Sequence, residues 1–197
     1  MKTVWPEIRA SLAAVFSLAV LLCGFYTLTV WILGQALFPA KANGSLVSRD
    51  GAVLGSRLIA REFTGPEYFR PRPSYAGEGY DGTASGGSNL GPLSKALSEV
   101  VSARVAAYRA ENGLPPGTLV PADAVTASAS GLDPHISVRN AQLQAPRVAK
   151  SRGLTEEVVL ERVAACTQGR DLGFLGEPRV NVLMLNLSLD GESIDGR

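Results

Sequence analysis

From residue 10 to residue 40 no side chain carries a charge, and apolar residues dominate the run. A helix of that length measures about 45 Å at ~1.5 Å per residue, which exceeds the ~30 Å hydrocarbon core of a bilayer. The pattern predicts a short tail at residues 1–9, a membrane-spanning helix at residues 10–40 and a globular domain at residues 41–197. Trp5, Tyr26 and Trp31 are placed to act as interfacial anchors. Pro39 ends the run, because proline disfavours helix at the residue before it. Ala40-Lys41-Ala42 imitates the cleavage site of a secretory leader. A leader's apolar stretch is only about 7–15 residues, however, and this one is about twice that. Ser17, Gly24, Thr27 and Gly34 are either positions for packing on a neighbouring helix or ordinary helix composition.

Beyond the run the pattern changes repeatedly. Residues 45–47 and 52–58 read as two short strands about Arg49-Asp50-Gly51, with Asp-Gly as the turn signal. Residues 64–91 are loop-rich, since Pro66, Pro71, Pro73 and many glycines forbid a long helix. Residues 94–112 read as a helix with an apolar stripe of Leu93, Leu97, Val100, Val101, Val105 and Tyr108. Asn112-Gly113 caps it. Residues 125–127 read as a short strand. A helix is predicted from Asp133 or Ser137, broken or kinked by Pro146 and closed by Gly153. Thr155 caps another, through Thr167, whose buried face is Val158, Val159, Val163 and Cys166. Residues 179–189 are almost continuously apolar, interrupted by Asn181 and Asn186, and read as a central strand covered on both faces. The mix predicts a single small α+β domain with long ordered loops.

Composition narrows the function classes. The 197 residues carry a net charge of +1, and 19% of them are charged, so no basic excess points to nucleic acid. The two cysteines, Cys23 in the apolar run and Cys166 in a domain helix, are not placed to pair. Nor do they make a Cys-rich metal site. Cys166 reads as a small buried hydrophobe rather than a reactive thiol. Local Lys/Arg counts do not favour a cytoplasmic N-terminus, whereas a short tail before a long apolar run resembles a signal-anchor with the domain outside. One helix cannot enclose a pore, and this one has no ionisable group at mid-membrane.

Four segments are candidates for chemistry. Ser85, Gly86, Gly87, Ser88 and Asn89 lie in a glycine loop before a helix, a form that can cradle an anion or nucleotide phosphate with backbone amides. The loop lacks the lysine of a P-loop, and its alternative reading is a tight structural turn. Ser128 or Ser130 with Asp133 and His135, the sole histidine, makes a membrane-anchored serine hydrolase conceivable. No G-x-S-x-G accompanies them. Residues 63–74 combine aromatics, arginines and prolines, either as an interface patch or as a loop with Tyr68 and Phe69 buried. Residues 173–179 read as a turn leading into the strand, with Glu177 and Arg179 as a surface pair.

These segments, taken in order, resemble one family. FTGPEYFRPRPS (63–74), SGGSNLGP (85–92), TASASGLDPHIS (126–137), QAPRVAKSRGL (144–154) and GFLGEPRVNVLMLNLSLD (173–190) match the C subunit of the bacterial Kdp-type potassium-transporting ATPase. The resemblance runs over nearly the whole chain. Ala129 stands where that family usually has glycine, and Leu93-Ser94-Lys95 replaces a usual Thr-Asn-Pro. The resemblance implies an accessory, non-catalytic subunit that stabilises a high-affinity potassium import complex. Its implied partners are a potassium-translocating subunit, a P-type ATPase subunit and membrane lipid, not nucleic acid. It further implies a bacterial inner-membrane protein with a cytoplasmic N-terminus and an extracytoplasmic domain. No cofactor is expected to be firmly bound, and ATP enters through the complex. The family's C subunit has been described as a catalytic chaperone that raises the ATPase subunit's nucleotide affinity, with the glycine loop proposed to touch nucleotide. A domain outside the membrane cannot touch cytoplasmic ATP across ~30 Å of hydrocarbon. Such an effect would have to couple distant sites.

Overall fold

The computed structural model describes residues 4–49 and 51–191. Two units separate along the chain, Met1–Leu46 and Val47–Arg197.

The first unit is dominated by one apolar helix, Val4–Leu37, of 34 residues. It comprises α1 (Val4–Ala19), a π-helical stretch (Val20–Tyr26) and α2 (Thr27–Leu37). At ~1.5 Å per residue it exceeds the ~30 Å bilayer core, and none of its most apolar stretch is buried inside the chain. In the π stretch the backbone ladder is displaced, and the Thr27 hydroxyl donates to Leu22 O at 3.1 Å. Thr29 does the same to Phe25 O at 2.7 Å. Phe38 breaks the helix, with φ −139°, and a short α3 (Pro39–Ala42) follows with proline at its first position.

β1 (Leu46–Arg49), which starts on the last residue of the first unit, and β2 (Ala52–Ser56) make a two-stranded sheet. The turn residue Asp50 lies outside the described residues. Three further strands form an antiparallel sheet in the order β3-β5-β4: β3 (His135–Ser137), β4 (Thr167–Gln168) and β5 (Arg179–Asn181). His135 pairs with Asn181, Ile136 with Val180, and Thr167 also with Val180. Around this sheet lie α4 (Lys95–Glu111), α5 (Ala122–Val125), α6 (Val138–Arg152), α7 (Glu156–Ala165) and α8 (Val182–Leu189). The architecture is α+β.

The core is where α6, α7, α8 and β5 meet. Ala141, Ala145 and Ala149 repeat every fourth residue on α6 and are buried with Val159 and Val163 of α7. Small side chains at that spacing let the two helices approach closely. Cys166 is buried in the same cluster, and burial pushes its thiol pKa up. The hydrophobe reading therefore holds. Val158 does not join this face, being 40% exposed.

Three sequence expectations are corrected. Residues 179–189 are not one strand: only Arg179–Asn181 is strand, and Val182–Leu189 is helical. A short apolar run buried on all sides has no period to reveal its type. The Asn181 side chain decides it, accepting from Met184 N at 3.1 Å as an N-cap. Residues 125–127 are not a strand; Val125 ends the short helix α5. Pro146 does not break α6, which runs unbroken from its cap Ser137 to Gly153, left-handed at φ 66°. Pro146 and Gln142 are both exposed, so the carbonyl that loses its donor lies on the solvent side.

Candidate functional site

The loop from 63 to 74 is held by side chains rather than by a strand. Asn186, fully buried on α8, accepts from Phe69 N at 2.8 Å and donates to Phe69 O at 3.0 Å. Gln144 on α6 repeats this one residue on, accepting from Arg70 N at 2.7 Å and donating to Arg70 O at 3.2 Å. Two amide side chains thus play the part of a neighbouring strand. Arg147, one turn beyond Gln144, donates to Pro66 O, Tyr68 O and Asn112 Oδ1. Its burial lowers the guanidinium pKa. Phe69 is fully buried and Tyr68 half-buried, so the segment is a loop packed on its own domain, not an exposed patch.

Beyond Arg70 the loop enters a cluster where three sequence segments converge. Gly86 N donates to Ser130 O at 2.9 Å, and the Ser85 hydroxyl donates to the same oxygen at 3.0 Å. Ser74 Oγ donates to Gly131 O at 2.6 Å and accepts from Ala76 N and Tyr80 N. Glycine is required here for backbone contact. A Cβ on Gly87 would sit 2.9 Å from Ala129 O, and one on Gly131 would sit 2.5 Å from Gly86 O. Gly131 is also left-handed, at φ +68°. Ala129 itself is exposed, so the methyl at this position is accommodated in water.

The same cluster is closed by charge. Arg72 pairs with Asp133 at 3.0 Å and donates to Ala127 O at 3.2 Å. Asp133 also accepts from His135 N at 3.0 Å and faces its Nδ1 at 3.3 Å. Burial pushes the Asp133 pKa up, but the hydrogen bonds from His135 and Arg72 outweigh it, leaving the carboxyl below its usual value. Tyr80 donates to Arg72 O at 2.8 Å, and burial raises its hydroxyl pKa to about 12. Beside this cluster a cleft of about 290 Å³ lies between α4 and the 70–73 segment, lined by Arg70, Tyr80, Arg104, Tyr108 and Glu111 among others.

Ser85, Gly86, Gly87, Ser128, Ser130, Asp133 and His135 therefore come together, but as a braced platform, whereas Asn89 is exposed with a left-handed φ of 51°. Ser128 Oγ accepts from Asp133 N at 3.4 Å and Ser130 Oγ accepts from Leu132 N at 3.2 Å. Neither hydroxyl bonds His135, whose ring faces Asp133 instead. The hydrolase geometry, a hydroxyl within reach of an imidazole, is not formed. Among the described residues no group of three or more His, Cys, Asp or Glu is placed to hold a metal.

A profile of the family described as K+-transporting ATPase, c chain (KdpC), matches residues 8–191. The chain belongs to the KdpC family.

Similar proteins named potassium-transporting ATPase KdpC subunit support this. The one from Mycobacterium tuberculosis H37Rv is 57% identical over 165 residues, covering 84% of this chain and 87% of the relative. Those from Nitratidesulfovibrio vulgaris and Rhodospirillum rubrum are 55% and 52% identical, over 184 and 185 residues, each covering 93% of this chain and 93% and 94% of the relative. Three of the five segments that carry the KdpC resemblance, 63–74, 85–92 and 126–137, meet in the cluster. Sequence reasoning missed Gln144, Arg147 and Asn186, which hold the 66–70 backbone, and Asn140, which accepts from Tyr108 Oη at 2.8 Å and from Gln144 Nε2 at 2.9 Å. Their signal was present: Asn140, Gln144 and Arg147 share one face of α6, and Asn186 interrupts an apolar run.

Proposed function

We propose that this KdpC-family chain is an accessory, non-catalytic subunit that stabilises an ATP-driven potassium import complex. Its partners in this reading are the potassium-translocating subunit and the P-type ATPase subunit, which holds the catalytic site. The observation that carries the reading is one long apolar helix, charged only at Glu7 and Arg9 near its start, joined to a domain in which Ser128 and Ser130 accept backbone N–H groups and the His135 ring faces Asp133. A lone helix offers no enclosed path for an ion, and among the described residues neither Ser128 nor Ser130 is hydrogen-bonded to His135.

In the proposed topology the N-terminus is cytoplasmic and the domain extracytoplasmic, in the bacterial inner membrane. The helix docks against partner helices and the domain covers their external face. Ser85, Gly86 and Gly87 then serve the loop cluster, and ATP acts through the complex. A chaperone-like effect on the ATPase subunit's nucleotide affinity is in this reading a coupling between distant sites.

Deletion of the chain is expected to abolish potassium uptake at micromolar potassium while leaving ATPase subunit levels measurable. Undiminished uptake contradicts the proposal. Labelling of an engineered domain cysteine by an impermeant maleimide tests the topology: the label should reach it in intact spheroplasts and not in sealed inverted vesicles.

A further inference from the structure

The cleft of about 290 Å³ beside α4 is floored by buried polar side chains. Tyr108 donates to Asn140 Oδ1 at 2.8 Å, and Gln144 Nε2 donates to the same oxygen at 2.9 Å and to Arg70 O at 3.2 Å. Asn140 and Gln144 are each 1% exposed. These groups satisfy one another, so the floor carries no open charge. Pro71, Pro73, Ala107 and Ala124 supply apolar walls, together with Tyr80 and Tyr108.

The charged residues of the cleft are Arg70, Arg104 and Glu111. Arg70 is paired, its Nε on Glu111 at 2.8 Å. Arg104 has no carboxylate partner among the described residues. Its Nη1 donates to Val125 O at 3.2 Å, and its guanidinium lies 5.2 Å from the Tyr75 ring centre. Nε and Nη2 are left as open donors. The arginines of the 170–179 loop differ, since each finds a carboxylate. Arg170 reaches Glu177 at 2.9 Å and Arg179 reaches Asp171 at 3.4 Å, in place of the Glu177–Arg179 pair expected from sequence. Burial and Glu62 raise the Tyr80 hydroxyl pKa, while Arg70 and Arg104 both act against that rise. Two guanidinium fields therefore meet at one tyrosine of the cleft.

These features select the occupant. Two arginines against one glutamate leave a single net positive charge, which suits a monoanion and not a nucleotide polyphosphate. The planar fork of a guanidinium matches a carboxylate. The volume equals that of about ten waters at ~30 Å³ each. A bare phosphate, or one acidic side chain reaching in from a partner, would leave most of it unfilled. Proline, alanine and tyrosine walls favour a flat apolar body behind the charge.

We propose that this cleft binds a small soluble monocarboxylate with a flat, aromatic-like body, its carboxylate held by Arg104.

The test is calorimetric titration of benzoate into the full chain in mild detergent, with benzamide as the uncharged probe of the same shape. Saturable benzoate binding is expected, with benzamide at least tenfold weaker. Arg104→Gln should weaken benzoate about tenfold and leave the melting temperature unchanged. Ala107→Leu, which fills the cleft and keeps every charge, should weaken both probes; it decides the matter if Arg104→Gln lowers the melting temperature. Absence of saturable benzoate binding up to about 10 mM overturns the proposal, as does equal affinity for the two probes or wild-type binding by Ala107→Leu. The same titration on the purified complex should give the same affinity. Benzoate bound by the chain alone but excluded from the complex would show that a partner group fills the cleft, and that too overturns the proposal.

Discussion

Two loops of the same domain use their residues in opposite ways. The cluster joining 72–76, 85–87 and 126–135 directs its polar groups inward: Ser74, Ser85 and Arg72 each bond a carbonyl of a neighbouring segment. The 170–177 loop directs its charges into its own base and its apolar side chains outward. A loop of the first kind is fixed by the chain that contains it. A loop of the second kind is rigid yet leaves its apolar tip uncovered. Rigidity and burial are therefore separate properties of a loop.

The comparison predicts that damage to the cluster unfolds the domain, while damage to the exposed tip at Leu172 and Phe174 does not. The largest effect is expected from Gly131→Val. A β-branched residue there meets Gly86 O and Ala76 N and must adopt a left-handed φ. The expected loss is about 3 kcal/mol or more, read as a drop in denaturant midpoint. A wild-type midpoint would show that the backbone approach is not required. Asn186→Ala comes next, since it leaves both backbone groups of Phe69 without partners in the core. A loss of about 2–3 kcal/mol is expected, with protease cleavage appearing near residue 69.

A smaller effect is expected from acid. The Asp133 pKa is lowered in the folded state, so its contribution is fully present above the ordinary carboxylate value of about 3.9. It is lost as pH falls through the lower folded value. Stability should decline below about pH 4, and Asp133→Asn should flatten that part of the profile. An unaltered slope in the variant would assign the acid sensitivity elsewhere. The smallest effect is a gain: Leu172 is exposed and left-handed, at φ +54°, so Leu172→Asn should stabilise the isolated chain by about 0.5–1 kcal/mol by removing that strain. A loss of stability would mean that Leu172 packs within its own chain after all.

Much of the fold was legible where local rules act alone. Ser137, which accepts from Asn140 N, and the left-handed Gly153 bound α6 as their residue types dictate, because caps depend on the nearest few residues; Thr155 takes the N-cap position of α7 without a side-chain capping bond. Residues 182–189 were illegible because an all-apolar run carries no period. The candidate site was half legible. Its glycines and serines stood out, but what they touch lies 45 residues away, as Ser85 with Ser130 shows. Leu172 was overlooked because a leucine in a loop is unremarkable until its φ is known.

By itself the amino-acid sequence determined that one long uncharged segment precedes a mixed α+β domain, and that five ordered segments place the chain in its family. Those properties follow from length, charge and short-range patterns. The tertiary structure alone decided that Val182–Leu189 is helical, that Asn186 and Gln144 hold the 69–70 backbone, and that the serines brace turns instead of serving His135. Each of these depends on which distant group fills a hydrogen bond or a cavity. That is settled by packing, not by neighbours in the chain.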